Sequence, residues 1–322
     1  MKDNSNTRPA RSIRIGLLGL LLPLTLSSTA QTPIRWNQTP NTAPAPQYQS
    51  PAQPQAYRTS LASQRVMPLA QGFDVAAFEN MASALTVGER VPGLAMAIVQ
   101  NGRVLSARGY GVTDVTAPQL VDSHTVFRLA SLSKAFAGTM TGLLVNDGSL
   151  RWDSKVTDYV PDFQLSDPLA TQRVTVADLL SHRVGLHDHN AFDRDIESNA
   201  DYYGVSRKLA YAPLDCAPGQ CYAYQNVAFS LIGDVVFAAT GSFYDQAVDR
   251  RIFKPLGMND ASIGLTGIES SPRWARPHVR SRNGWVSLMP KPTYYRLPPA
   301  AGVNGRASGL AEWLVAQTGD RP

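Results

Sequence analysis

Apolar positions divide the chain into a few clear segments. Val75, Phe78, Met81, Ala82 and Leu85 recur at helical spacing between Phe73 and Leu85 and predict an amphipathic helix. After Pro92-Gly93, the run Leu94 to Gln100 reads as a strand, Asn101-Gly102 as a tight turn, and Arg103 to Arg108 as the partner strand. Further on, Phe136, Met140, Leu143 and Leu144 share one face of a helix that starts near Ser131 and stops at Asp147-Gly148. Thr175-Val176-Ala177-Asp178 predicts a capped helix start, with the helix ending at Gly185. Val227 to Thr240 is an apolar helix with a Gly241 stop, and Leu310, Trp313 and Leu314 mark a last helix stopping at Gly319. A helix followed by an antiparallel hairpin implies a sheet covered by helices, an α+β arrangement, instead of a parallel βαβ array.

The first 72 residues lack this patterning. Residues 1–14 are basic, Ile15 to Leu26 is an apolar run too short to span a bilayer comfortably, and Ser28-Thr29-Ala30 supplies small residues at a cleavage site. Residues 1–30 therefore read as a secretory signal and the protein as exported, periplasmic or secreted. No stable membrane insertion is expected after cleavage. Residues 31–72 are rich in Pro, Gln, Ala and Thr and read as a flexible linker. The folded domain is expected over 73–322. The 43% hydrophobic and 17% charged content of the whole chain is globular. The formal net charge is +5, but Lys2, Arg8, Arg11 and Arg14 against Asp3 place +3 of it in the leader. The remaining +2 gives no case for a nucleic-acid partner.

Candidate chemistry is sparse and, motif by motif, weak. Ser131-Leu132-Ser133-Lys134 contains a Ser-x-x-Lys pair, close to one helical turn apart. Such a pair lets an amine hold the proton of a hydroxyl nucleophile, and an amine on a buried helix favours its neutral form. The same pair is also what an N-cap serine and a solvated lysine look like. Tyr224 and Asn226, two apart in an extended segment, point the same way. They offer a phenol for proton transfer and an amide for a substrate carbonyl, or simply a loop anchor and a helix cap. His182 reads better as a structural histidine bonded to the following loop than as a base. His187-Asp188-His189 lacks a third metal ligand in view, so a solvated loop is expected, with no metal and no cofactor. Cys216 and Cys221 could close a small loop in an oxidising compartment, depending on whether loop geometry lets the sulfurs meet.

Taken together and in order, the segments resemble the penicillin-recognising serine hydrolases, in the branch holding class C β-lactamases, serine D-Ala-D-Ala peptidases and related esterases. The matching stretches are Val91-Pro92-Gly93-Leu94, Gly109-Tyr110-Gly111, Phe127 to Lys134, Leu179 to Leu186, Pro218-Gly219 to Asn226, Ile252 to Met258 and Ala300-Ala301-Gly302-Val303. The resemblance implies a β-lactamase/transpeptidase-like fold: an antiparallel sheet flanked by helices, a mostly helical lobe, and the active site between them. It implies Ser131 as acylated nucleophile, Lys134 and Tyr224 as the base, Asn226 on the substrate amide, and the Ser131 N–H as half of an oxyanion hole. The substrate would be a small molecule or a peptidoglycan-derived peptide carrying an amide or ester. β-Lactam, D-Ala-D-Ala peptide and simple ester are not separable on these residues.

The family's third element, Lys-Thr-Gly or His-x-Gly on a later strand, does not occur; Gln317-Thr318-Gly319 is the nearest echo. That strand would supply the second oxyanion N–H. The sequence therefore reads as a fragment of a longer hydrolase; if it is instead the whole product, weak or absent turnover and poor solubility are expected, because a sheet missing its last strands leaves an unpaired edge. The rival expectation is a non-catalytic cell-wall-binding relative that keeps the cleft.

Overall fold

The computed structural model describes residues 72–88 and 90–318; the leader at 1–30 and the 31–72 linker, Gly72 excepted, lie outside them. Strands β1 (Gly93–Gln100) and β2 (Arg103–Gly111) form the expected antiparallel hairpin. Asn101 and Gly102 turn it with φ of 51° and 69°, the left-handed pair that a tight hairpin turn requires. The remaining strands are β3 (Val126–Arg128), β4 (Ser262–Ile263), β5 (His278–Ser281), β6 (Gly284–Ser287) and β7 (Val303–Arg306). Strand β7 runs antiparallel between β3 and β4, and β5 pairs only with β6. The antiparallel arrangement is as expected, and the described residues divide it among three small sheets. Pro277, Pro290, Pro292, Pro298 and Pro299 punctuate the region that supplies four of these strands, and proline cannot donate to a ladder.

The helices are α1 (Val75–Val87), α2 (Ser133–Asn146), α3 (Pro168–Arg173), α4 (Val176–Leu180), α5 (Asp193–Glu197), α6 (Tyr202–Ser206), α7 (Val227–Thr240), α8 (Tyr244–Val248), α9 (Leu265–Glu269), α10 (Pro298–Ala301) and α11 (Ala307–Gln317). Asp74 caps α1 by accepting from Ala77 N, and Thr175 and Asp178 form a reciprocal capping box on α4. Helix α4 ends at Leu180, earlier than the glycine stop at Gly185 suggested, because His182 takes a left-handed conformation (φ 58°). Helix α11 closes at Gln317 near its expected stop.

Helices α1 and α11 pack on the β1–β2 hairpin, whereas α2, α4, α7, α8 and α10 pack on one another as a helical body. The fold is therefore α+β: antiparallel strands with a mostly helical lobe. Every residue of β1 is only half-buried, although Leu94 to Val99 is wholly apolar. The core lies in the helical body. Phe136, Met140 and Leu144 repeat at i, i+4, i+8 on α2 and are fully enclosed, and Phe136 meets Phe253 edge-on at 5.6 Å and Trp313 at 5.2 Å. Helix α7 buries Val227 to Ile232 without a break and leaves its exposed positions for its second half. No single helix among the described residues is long and apolar enough to cross a membrane. Phe136→Ala opens a cavity beneath α2, the helix that follows Ser131, and should lower the unfolding free energy by about 3–5 kcal/mol in urea titrations. A loss under about 1 kcal/mol would show that this helix is not held by its core face.

Candidate active site

Ser131 sits on a single 3-10 turn, Ala130–Leu132, and is exposed; α2 begins two residues later, at Ser133. Ala130 has φ 46°, an uncommon conformation for a residue with a side chain, placed immediately before the serine. Strand β7 fixes the turn from both sides. Val303 N donates to Ser133 Oγ at 2.9 Å, and Leu129 N donates to Val303 O at 2.9 Å. The second serine of Ser-Leu-Ser-Lys is thus a buried tie between α2 and the sheet, a role with no signal in the sequence.

Lys134, on the first turn of α2, points back to the serine, with Nζ 3.3 Å from Ser131 Oγ. The same amine donates to Asn226 Oδ1 at 2.7 Å and to Ala300 O of α10 at 3.1 Å, and lies over the rings of Tyr224 (4.7 Å) and Phe229 (5.3 Å). Burial pushes its pKa down to about 8, against the opposing charge of Asp193. An amine in that range changes protonation state near neutral pH, which a proton acceptor requires.

Tyr224 OH donates to Ser131 Oγ at 2.8 Å, so the hydroxyl is approached by a phenol and an amine together. Two loops hold the phenol. Tyr224 N donates to His189 Nδ1 at 3.0 Å, and Tyr224 O accepts from Asn190 N at 2.7 Å. Gln225 reaches across, donating to Asp188 O (2.6 Å) and accepting from Ala191 N (3.2 Å). Below them, His182 Nδ1 accepts from Gln225 N at 3.1 Å while its ring lies 4.4 Å from that of Tyr224. His182 is therefore structural, as expected, but its ring binds the backbone of Gln225, 43 residues on, instead of the loop that follows it. Gly185 has φ 100°, and a Cβ there would lie 2.4 Å from Cys216 O, so only glycine lets the 183–186 segment approach the 215–219 loop. Cys216 and Cys221 are joined in a disulfide.

Asn226 does not cap α7 with its side chain, although it occupies the cap position. Its Oδ1 faces Lys134, and its Nδ2 donates to Asp193 Oδ2 at 2.7 Å and, more weakly, to Asn190 Oδ1 at 3.3 Å. Asp193 also accepts from Tyr294 OH at 3.2 Å, and burial raises its pKa. His189, Asn190, Asp193 and the Ala300 carbonyl were not singled out in sequence. His189 belongs to the His-Asp-His tag, read there as a solvated loop; Ala300 opens the Ala300-Ala301-Gly302-Val303 stretch without a role of its own being assigned, and Asp193 carries no local motif. His187 lies apart from the serine and pairs with Asp215 at 2.6 Å, which raises its pKa. The 188–195 segment also lines a cavity of 680 Å³ that includes Lys208 and Tyr211 but none of Ser131, Lys134, Tyr224 or Asn226.

The four residues named in sequence thus come together across a separation of up to 95 positions: Lys134 and Tyr224 reach the exposed Ser131 hydroxyl, and Asn226 holds Lys134. The arrangement can remove the proton of that hydroxyl as it attacks a carbonyl, and return a proton to a departing group.

His182 supplies a check that does not involve the reaction. Burial, with Lys134 and His189 adding to it, lowers its pKa to about 4. The unfolded chain takes up a proton near pH 6.5, where the native protein does not, so stability falls as pH drops from about 6.5 to about 4 and no further from this source. Urea titrations across that range should show a shallower decline in His182→Asn than in the parent.

A family model described as Beta-lactamase matches residues 78–321. Penicillin-binding protein 4 of Amycolatopsis lactamdurans is 29% identical over 236 residues, covering 73% of this chain and 60% of that protein. Esterase EstB of Burkholderia gladioli is 32% identical over 232 residues, covering 63% of this chain and 56% of that protein. The chain thus spans little more than half the length of these relatives. Among solved structures, the octameric penicillin-binding protein homologue from Pyrococcus abyssi superposes with a TM-score of 0.67 at 23% identity, over 78% of this chain and 57% of that one. That likeness speaks for the fold.

Proposed function

The chain belongs to the beta-lactamase family, and we propose that it acts as an exported serine hydrolase that forms an acyl-enzyme on Ser131. The observation that carries this reading is the paired approach to one hydroxyl: Tyr224 OH at 2.8 Å and Lys134 Nζ at 3.3 Å, with the amine's pKa lowered to about 8. A serine hydroxyl is a weak nucleophile unless an adjacent group takes its proton. Neutral Lys134 accepts that proton, through Tyr224 or directly, as Ser131 Oγ attacks the carbonyl of an amide or ester. The tetrahedral intermediate collapses when Tyr224 protonates the leaving group. Water, deprotonated by the same pair, then releases the acyl group. Asn226 holds the amine by its Oδ1, and contact of its side chain with a substrate amide is part of this proposal. The substrate class is an amide or ester such as a β-lactam, a D-Ala peptide or a simple ester. Export is supported by the Cys216–Cys221 disulfide, which suits an oxidising compartment.

The test is hydrolysis of a chromogenic ester and a chromogenic β-lactam by the parent and single variants. Ser131→Ala should lose at least about 10³-fold in kcat/KM, and Lys134→Ala and Tyr224→Phe about 10²-fold or more. If Ser131→Ala turns over substrate as the parent does, the nucleophile is misassigned. The pH profile separates the two bases. With Lys134 acting as a neutral amine, kcat/KM rises through about pH 8 and levels above it. A profile that falls through the same pH would mean that the ammonium is the active form and Tyr224 alone takes the proton.

A further inference from the structure

We propose that Asp193 is a positioning residue of this site: through the Asn226 amide it orients the partner of Lys134 and sets how firmly the amine keeps its proton. The inference rests on the acyl-serine reading for its link to turnover, but its physical content is independent of substrate.

The geometry is a relay of three side chains from three elements. Lys134 Nζ on α2 donates to Asn226 Oδ1 at 2.7 Å, and Asn226 Nδ2, at the head of α7, donates to Asp193 Oδ2 at 2.7 Å, at the first residue of α5. A carboxamide has one acceptor end and one donor end. Turned over, it would present its NH₂ to the lysine amine, donor against donor, and its oxygen to the carboxylate, acceptor against acceptor. A carboxylate at the far end removes that alternative, because it accepts only. Asn190 Oδ1, the other acceptor on Nδ2, is 3.3 Å away and belongs to a neutral amide that can itself rotate. Asp193 is the fixed end of the relay.

Asp193 is itself held and poorly solvated. Tyr294 OH donates to its Oδ2 at 3.2 Å and to Glu197 Oε1 at 2.7 Å, and its Oδ1 is buried with no hydrogen-bond partner. A carboxylate in such a place acts on its surroundings more strongly than a solvated one. The groups that face it are Asn226 of α7, Glu197 of its own helix, Tyr294 from the 3-10 turn Thr293–Arg296, and Lys134 of α2. Lys134 in turn faces Asp193, Tyr224, Ser131 and, by charge, His182. Burial lowers the amine's proton affinity and Asp193 is the charge that opposes it.

The two roles separate in two variants. Asp193→Asn keeps an oxygen that can accept from Asn226 Nδ2 and removes the charge. Asp193→Ala removes both. The six lysines of the chain make a lysine-specific titration tractable: ¹³C-lysine NMR of the intact protein, with the Lys134 signal identified by its loss in Lys134→Arg. In Asp193→Asn the Lys134 midpoint should move to lower pH by up to about one unit, and the rising limb of kcat/KM should move with it, while the plateau falls less than in Asp193→Ala because the new amide can still accept from Asn226. In Asp193→Ala the plateau itself should fall about 10-fold as the amide is freed. Glu197→Gln, which removes a charge that does not touch Asn226, should move the midpoint less than Asp193→Asn. An unchanged Lys134 midpoint in Asp193→Asn, or an Asp193→Ala plateau equal to the parent's, overturns the proposal. Absence of turnover in the parent itself would overturn the hydrolase reading and leave the NMR result to decide the charge effect.

Discussion

The site depends on keeping one lysine amine partly out of water while giving it enough partners to remain in place. Lys134 is half-buried between two aromatic rings and bonded to Ser131 Oγ, Asn226 Oδ1 and Ala300 O. Desolvation alone would expel the charge; hydrogen bonds alone would fix an ordinary ammonium. The balance leaves the amine near the middle of its titration at mildly alkaline pH. Each partner comes from a different stretch of chain, so the fold exists around the amine as much as the amine within the fold.

That constraint explains the otherwise unrelated local features. The 3-10 turn at Ala130–Leu132 lifts Ser131 out of the helix that carries Lys134, leaving the hydroxyl exposed and the amine inside. The tie from Val303 N to Ser133 Oγ anchors β7 to the head of α2, and α10, immediately before β7, supplies the Ala300 carbonyl. On the other side, left-handed His182 and Gly185 shape a loop whose imidazole lies tilted against the ring of Tyr224, whose phenol donates to Ser131. Asn226 closes the circle by joining α7 to α2.

Much of this was legible in sequence because it is local. The hairpin turn at Asn101-Gly102, the capping box at Thr175 and the apolar face of α2 each follow from neighbouring residues. The Ser-x-x-Lys and Tyr-x-Asn pairs are weak alone and gain force only from the ordered tags around them. What stayed hidden is long-range. Asn226 reads as a helix cap, and only the long-range approach of Asp193 and Lys134 shows its side chain bonded to them instead. His189 reads as a solvated loop residue until Tyr224 N is found on its ring. A backbone carbonyl such as that of Ala300 has no sequence signal at all. The division of the strands among three small sheets was missed for a related reason: short strands are defined by their partners.

The most direct measurement is the mass of the Ser131 peptide after the protein is mixed briefly with a fluorophosphonate or a penicillin and quenched in acid. The account predicts one adduct, on Ser131, absent from Ser131→Ala and formed faster as pH rises through about 8. An adduct on another residue, or none in a protein that still hydrolyses ester or β-lactam, would contradict it.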